Sequence, residues 1–338
     1  LAGVFYALLM RDLKPALASH SVENIGIILI GIGLALIYRW AARQADEHDL
    51  EIAAKALSGL AGLALTASLF HLLNHSIFKS LLFFCTGAIE NRIGTTSLDR
   101  LGGLMNRYPW TSVTFLVGAI SIAGLPPFNG FASEWLILQV LFAGVDLFSL
   151  GISGQIFILL GMVLVLLCLA IAIGLTAIAF VKIAGETLLG MPRDTLLAQQ
   201  ARPGDVPWTI RSVLVSLAGL CLFLGIFASP IVRELRVITA GFTDDTAAEI
   251  LNNGLSLTLQ IPLFREDILE ENEDFVGKDP LVFTDLGDHY IARVSFRFIV
   301  ILAMMLGTVV MSVILGRPRK LFGWLRSRFG PVWTGGER

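Results

Sequence analysis

The chain has 338 residues, 55% hydrophobic and 15% charged, with a formal net charge of −2. Soluble globular chains carry about a quarter charged residues, so this composition indicates an integral membrane protein, and its long apolar runs read as helices rather than barrel strands. The near-neutral balance offers nothing to nucleic acid, and Cys85, Cys168 and Cys221 lie in separate apolar runs without a Cys-x-x-Cys pair, so no metal and no cofactor is expected.

Residues 1–10 are apolar but too short to span a bilayer, and they lack the basic region of a signal peptide. They read as the end of a helix whose start is missing, so the chain is expected to be a fragment. About six crossings follow, at 16–38, 56–89, 111–141, 155–181, 213–232 and 291–315. Residues 1–232 are expected to form a transmembrane bundle. Residues 233–290 are expected to be an extracytoplasmic loop, acidic through Asp244, Asp245, Glu266, Asp267, Glu270, Glu271, Glu273 and Asp274. Those acids lack fixed ligand spacing and read as a solvated face. Residues 291–338 supply the last crossing and a basic tail with Arg317, Arg319, Lys320, Arg326 and Arg328. Arg11, Lys14, Arg92, Arg100, Arg107, Arg193 and Arg202 fall in loops on the same side as that tail, which the positive-inside rule places in the cytoplasm.

In the first crossing, Asp12-Leu13-Lys14-Pro15 precedes His20 and Glu23. Proline is tolerated at a helix's first turn. Lys14 reads as a snorkelling interfacial lysine or as a relay group. His20 and Glu23 share a face at i, i+3 and either pair with each other or form an inlet relay. Gly26, Gly31 and Gly33 follow no strand and read as close helix packing rather than a nucleotide loop.

The second crossing carries His71, His75 and Lys79. Steps of four residues keep them near one helix face over about 12 Å. Ionisable groups in a membrane helix are costly and face a bundle interior or a watery path. The row reads as a proton wire or as polar glue between helices. Glu90, at the end of the same helix, reads as a wire terminus or a solvated acid.

The third crossing contains Gly124-Leu125-Pro126-Pro127-Phe128-Asn129-Gly130. Pro126 and Pro127 remove backbone donors and clash with a continuing helix, and Gly130 closes the break. Broken helices at membrane depth occur where they are buried or line a cavity. Glu134 follows as a lone carboxyl, placed like the ionisable groups of transporter ion sites; the competing reading makes it a cap for the second half-helix. Lys182 and Glu186, at i, i+4, read as a weak interfacial ion pair.

Together these motifs resemble the antiporter-like membrane subunits shared by NADH–quinone oxidoreductase (complex I), Mrp cation/proton antiporters and membrane-bound hydrogenases. The segment from Asp12 to Lys14 resembles the family's lysine-bearing segment, the His71…His75…Lys79 row its central histidine–lysine helix, and Gly124 to Glu134 its discontinuous helix. The runs from His20 to Gly26, Leu98 to Leu104, Phe131 to Trp135 and Phe180 to Arg193 resemble the formate hydrogenlyase and hydrogenase-4 branch. The resemblance covers roughly residues 1–235 and implies an all-α fold forming the second half of an antiporter-like bundle. Family members carry an earlier inverted half with a glutamate–lysine pair; without it the piece is either truncated or unable to pump alone.

The resemblance implies a proton-translocating subunit of a redox complex in a prokaryotic inner membrane. Such a subunit has no redox centre of its own and works with other membrane and peripheral subunits. Lys14, His20, Glu23, His71, His75, Lys79 and Glu134 would carry the proton and partner subunits the electron chemistry. The alternatives are an Mrp-type sodium/proton antiporter component and a non-conducting scaffold.

Overall fold

A computed structural model describes residues 1–48, 51–149 and 156–239. The sixth crossing, the acidic loop beyond residue 239 and the basic tail lie outside the described residues. All regular elements among the described residues are helices. α1 (Ala2–Leu9) is a short apolar helix. α2 (Leu13–Glu47) starts where Asp12 caps it: its carboxylate accepts the Lys14 backbone N–H at 3.0 Å, satisfying one of the donors that a helix start leaves free. The Thr96 hydroxyl contacts both oxygens of Asp12, at 2.9 and 2.8 Å, and so ties this cap to the far end of the next helix.

α3 (Glu51–Ile93) runs unbroken for 43 residues, about 64 Å at 1.5 Å per residue. It is twice the roughly 30 Å hydrocarbon thickness and extends beyond the expected 56–89 at both ends. α4 (Leu104–Arg107) is a single turn, and α5 (Pro109–Ile122) begins with proline at its first position. The chain then breaks over residues 123–128 and resumes as α6 (Asn129–Ser149). The expected interruption is therefore present, and it leaves α5, at 14 residues, too short to span a bilayer alone. α7 (Ile156–Leu188), α8 (Thr195–Gln200), α9 (Trp208–Ile226) and α10 (Ala228–Thr239) complete the described chain. The expected fifth crossing bends at Phe227, and α10 carries the helix into the region read as loop. Among the described residues, four helices are long and apolar enough to cross a membrane: α2, α3, α7 and α9.

Within a bilayer, helices associate through close packing and hydrogen bonds rather than through apolar burial. α2 and α3 form the central pair. At Gly31 the helices approach so closely that a Cβ would overlap the Ser68 hydroxyl, and that hydroxyl donates to the Ile28 carbonyl at 3.0 Å. Gly26 and Gly33 have open space instead, so close packing explains only Gly31 of the three. Tyr38 donates its hydroxyl to the Val140 carbonyl at 2.9 Å, joining α2 to α6. One apolar core gathers Leu13, Leu17, Phe78, Leu82, Phe115 and Phe180 from α2, α3, α5 and α7. Cys85 and Cys221 are buried in this core as free thiols, as their apolar context implies.

The end of the bundle that carries Lys14 and Arg92 is closed by a polar plate. Arg92 donates to the Asp205 carbonyl, and Asp205 in turn accepts from the Trp110 N–H at 2.7 Å and the Thr111 hydroxyl at 2.6 Å. Arg100 pairs with Asp194 at 2.8 Å. Asp194 also caps α8 by accepting the Leu197 N–H at 2.9 Å. That backbone bond, then the Arg100 contact, holds its carboxyl below the usual aspartate value. Its contribution to the plate is therefore complete above the ordinary value and lost as pH falls through the lowered one. Asp194→Ala, which removes the capping oxygen, is expected to loosen α8 selectively. Hydrogen exchange at the Leu197 amide should speed up by roughly fivefold, the scale of losing an N-cap, while the amides of α3 stay unchanged.

Candidate functional site

Helical spacing on α3 aligns His71, His75 and Lys79; α6 meets His71 and α2 meets Lys79. His71 is fully buried and its Nδ1 meets the Ser133 hydroxyl at 2.9 Å. Ser133 in turn donates to the Gly130 and Asn129 carbonyls at 3.1 and 3.2 Å, carbonyls at the start of α6. Asn74, one turn on from His71, donates to the Asn129 carbonyl at 3.0 Å, while the Asn129 amide returns to Asn74 Oδ1 at 3.3 Å. Two side chains of α3 thus bind directly to the broken helix. Polar side chains rather than lipid thus meet the backbone where the second half-helix begins, the setting in which a broken helix is tolerated.

Glu134 lies beside this junction and is buried. Its carboxyl folds back over Gly124, whose left-handed φ of +63° suits glycine; a Cβ there would collide with Oε2 and sit 3.2 Å from Cδ. At Gly130 a Cβ would strike the Ser121 carbonyl, so the glycine is required for α6 to fold back beside α5. Glu134 accepts no backbone amide among the described residues, so the capping reading is not met. It is a buried carboxyl held against the break.

Lys79 is buried, and its ammonium donates to the Leu17 carbonyl of α2. His75 is half-buried and stands edge-on to Phe78, with ring centroids 5.5 Å apart. The Nε2 atoms of His20, His71 and His75 and the Oδ1 atoms of Asn24 and Asn129 are buried without protein partners. Buried polar atoms are normally satisfied, so these atoms stand out as candidates for bridging water.

On α2, His20 and Glu23 do pair: Nδ1 meets Oε2 at 2.7 Å, with both side chains buried. Lys14 is placed elsewhere, half-exposed at the basic end and paired with Glu90 at 2.7 Å. Both solitary readings, a snorkelling lysine and a solvated Glu90, are replaced by one ion pair between α2 and α3. Lys182 also differs from expectation: it donates to the Leu8 carbonyl at 3.1 Å and forms no ion pair with Glu186 among the described residues.

Residues 54–161 match the transmembrane family described as NADH:quinone oxidoreductase/Mrp antiporter. That segment is similar to this family. It contains the His71–Lys79 row, the break and Glu134. The chain is homologous to hydrogenase-4 component B of Escherichia coli, with 36% identity over 259 residues, covering 76% of this chain and 35% of the relative. It is equally similar to formate hydrogenlyase subunit 3 of Escherichia coli, 36% identical over 228 residues, covering 68% of this chain and 34% of the relative. The chain thus spans about a third of the length of these relatives. The Mrp complex of Dietzia sp. DQ12-45-1b shares the fold, with a TM-score of 0.54 at 23% identity over 74% of this chain and 47% of that one.

Two participants escape the sequence reading. Thr176 of α7 donates to the Glu23 carboxylate, and a threonine in a long apolar helix gives no signal of its partner. Gly225 of α9 packs against the backbone of the break, where a Cβ would lie 2.6 Å from the Phe128 carbonyl carbon.

Proposed function

We propose that this chain is a proton-translocating membrane subunit of a redox-driven complex of the hydrogenase or NADH–quinone oxidoreductase type. Protons move along the line formed by Lys79, His75, His71 and Glu134, with His20 and Glu23 beside it and the Lys14–Glu90 pair at the basic end. The observation that carries this reading is the hydrogen bond from His71 on α3 to Ser133, the residue next to Glu134 on the broken helix. It joins a row of titratable groups to the break, where backbone is free to meet water.

Histidine suits relay because its ordinary pKa lies near 6.5. Protonating one group on the line opposes positive charge on the next, so protons advance by mutual electrostatic displacement. Electron transfer in partner subunits supplies the driving change. The relatives' names, a hydrogenase component and a formate hydrogenlyase subunit, support that class of partner. In this reading the protein is a multi-pass component of a prokaryotic inner membrane, with its basic end and C-terminal tail in the cytoplasm.

The test is to reconstitute the native complex in proteoliposomes and follow internal pH during electron transfer, with and without sodium. The reading predicts a pH change that follows turnover and does not depend on sodium. A pH change that needs sodium and no electron donor identifies a sodium/proton antiporter component instead, and turnover without any pH change identifies a scaffold.

A further inference from the structure

Glu23 stands apart from the main line in the identity of its partners. One carboxylate oxygen meets His20 Nδ1 at 2.7 Å, while the other accepts the Thr176 hydroxyl of α7. The same hydroxyl lies 2.9 Å from the Ala172 carbonyl, one turn back on α7. A threonine hydroxyl has one hydrogen and two lone pairs. Facing a carboxylate, it donates to Glu23. Facing a protonated Glu23, it can turn its hydrogen to Ala172 and accept.

The surroundings hold this arrangement in place. Phe180, one turn beyond Thr176, lies against the His20 ring with centroids 4.7 Å apart. Asn24 donates to the His20 carbonyl at 2.8 Å. On the outer side α1 packs so tightly that a Cβ at Gly3 would lie 2.7 Å from the Glu23 backbone nitrogen. Glu23 is therefore clamped between α1, α2 and α7. The titratable side chain that meets Glu23 directly is His20, on its own helix. Lys79 itself binds the Leu17 carbonyl, two turns before Glu23.

We propose that Thr176 is a positioning residue: it fixes the Glu23 carboxylate against His20, and so makes α7 part of the device that holds the His20–Glu23 pair beside the proton path. This rests on the proton-path reading above. It adds a helix that contributes no titratable side chain of its own at this level, and a role for Glu23 as an acid held in a set orientation toward His20 rather than a passive paired acid.

The test compares Thr176→Val, Thr176→Ser, Glu23→Gln and the Thr176→Val/Glu23→Gln double variant in the assembled complex in proteoliposomes. Proton uptake per electron is read across pH, with assembly confirmed by co-purification of the partner subunits. Valine keeps the shape and removes the hydroxyl, whereas serine keeps the hydroxyl. Thr176→Val is expected to lower uptake roughly tenfold, the scale set by losing a hydrogen bond to a charged group, and to displace the pH profile. Thr176→Ser should restore both. In the Glu23→Gln background the valine substitution should change nothing further. Native behaviour in Thr176→Val, with uptake lost in Glu23→Gln, overturns the positioning role while leaving the path intact. An equal defect in valine and serine variants marks packing alone and overturns it too. Native uptake in Glu23→Gln removes Glu23 from the path, and the proposal with it.

Discussion

Lys79→Met should assemble normally and lose proton translocation by roughly 100-fold, the lower range for removing a group that transfers protons. The lysine is buried and donates only to the Leu17 carbonyl, so its charge has no ion-pair partner within bonding distance among the described residues. Methionine fills similar volume without that charge. With no hydrogen-bonded counter-ion left behind, removing this charge also removes its own desolvation cost. The Leu17 carbonyl is not orphaned, because the Ser21 hydroxyl also donates to it at 3.3 Å. Stability should therefore hold, with thermal unfolding of the complex in detergent moving by no more than a few degrees. A stable, assembled Lys79→Met complex that still acidifies its vesicles at the native rate would remove Lys79 from the path.

Gly225→Val should have the largest effect on stability. A Cβ at this position would collide with the Pro127 carbonyl oxygen and lie 2.6 Å from the Phe128 carbonyl carbon and 2.9 Å from the Asn129 nitrogen. These are backbone atoms of the break, so no side-chain rotation relieves the clash. Overpacking commonly costs about 1–3 kcal/mol, and a clash against backbone belongs at or above the top of that range. Displacing Asn129 would also disturb its pairing with Asn74 and thereby the seat of His71 and Ser133. Gly219→Val, on the same helix with no neighbour within 4 Å, is the control and should be near neutral. Thermal midpoints of the two variants in one detergent separate a local clash from a general intolerance of valine in α9.

The residues that announce themselves in the sequence are those whose chemistry conflicts with a membrane. His71, His75 and Lys79 stand out because charge is rare in an apolar helix, and spacing by fours is enough to put them on a shared face. Pro126 and Pro127 do the same for the break. What stays hidden is which helix faces which. Lys14 and Glu90 are 76 positions apart, and nothing local says they meet. Thr176 and Gly225 are ordinary in composition and acquire a role only when α7 reaches Glu23 and α9 reaches the break. The failed Lys182–Glu186 pair has the same origin: helical spacing permitted it, but the Leu8 carbonyl of α1 offered the ammonium a better-placed acceptor.

In the proposed path the group at the break is Glu134, the buried carboxyl that lies over Gly124 with no hydrogen-bond partner among the described residues. Proton uptake should be measured in proteoliposomes holding the full complex, comparing native protein with Glu134→Gln at equal electron-transfer rate. Glutamine matches the shape and cannot carry the proton, so the account predicts that the pH change disappears while the complex remains assembled and turning over. An unchanged pH signal in Glu134→Gln would contradict it and leave the broken helix as a structural feature of a scaffold.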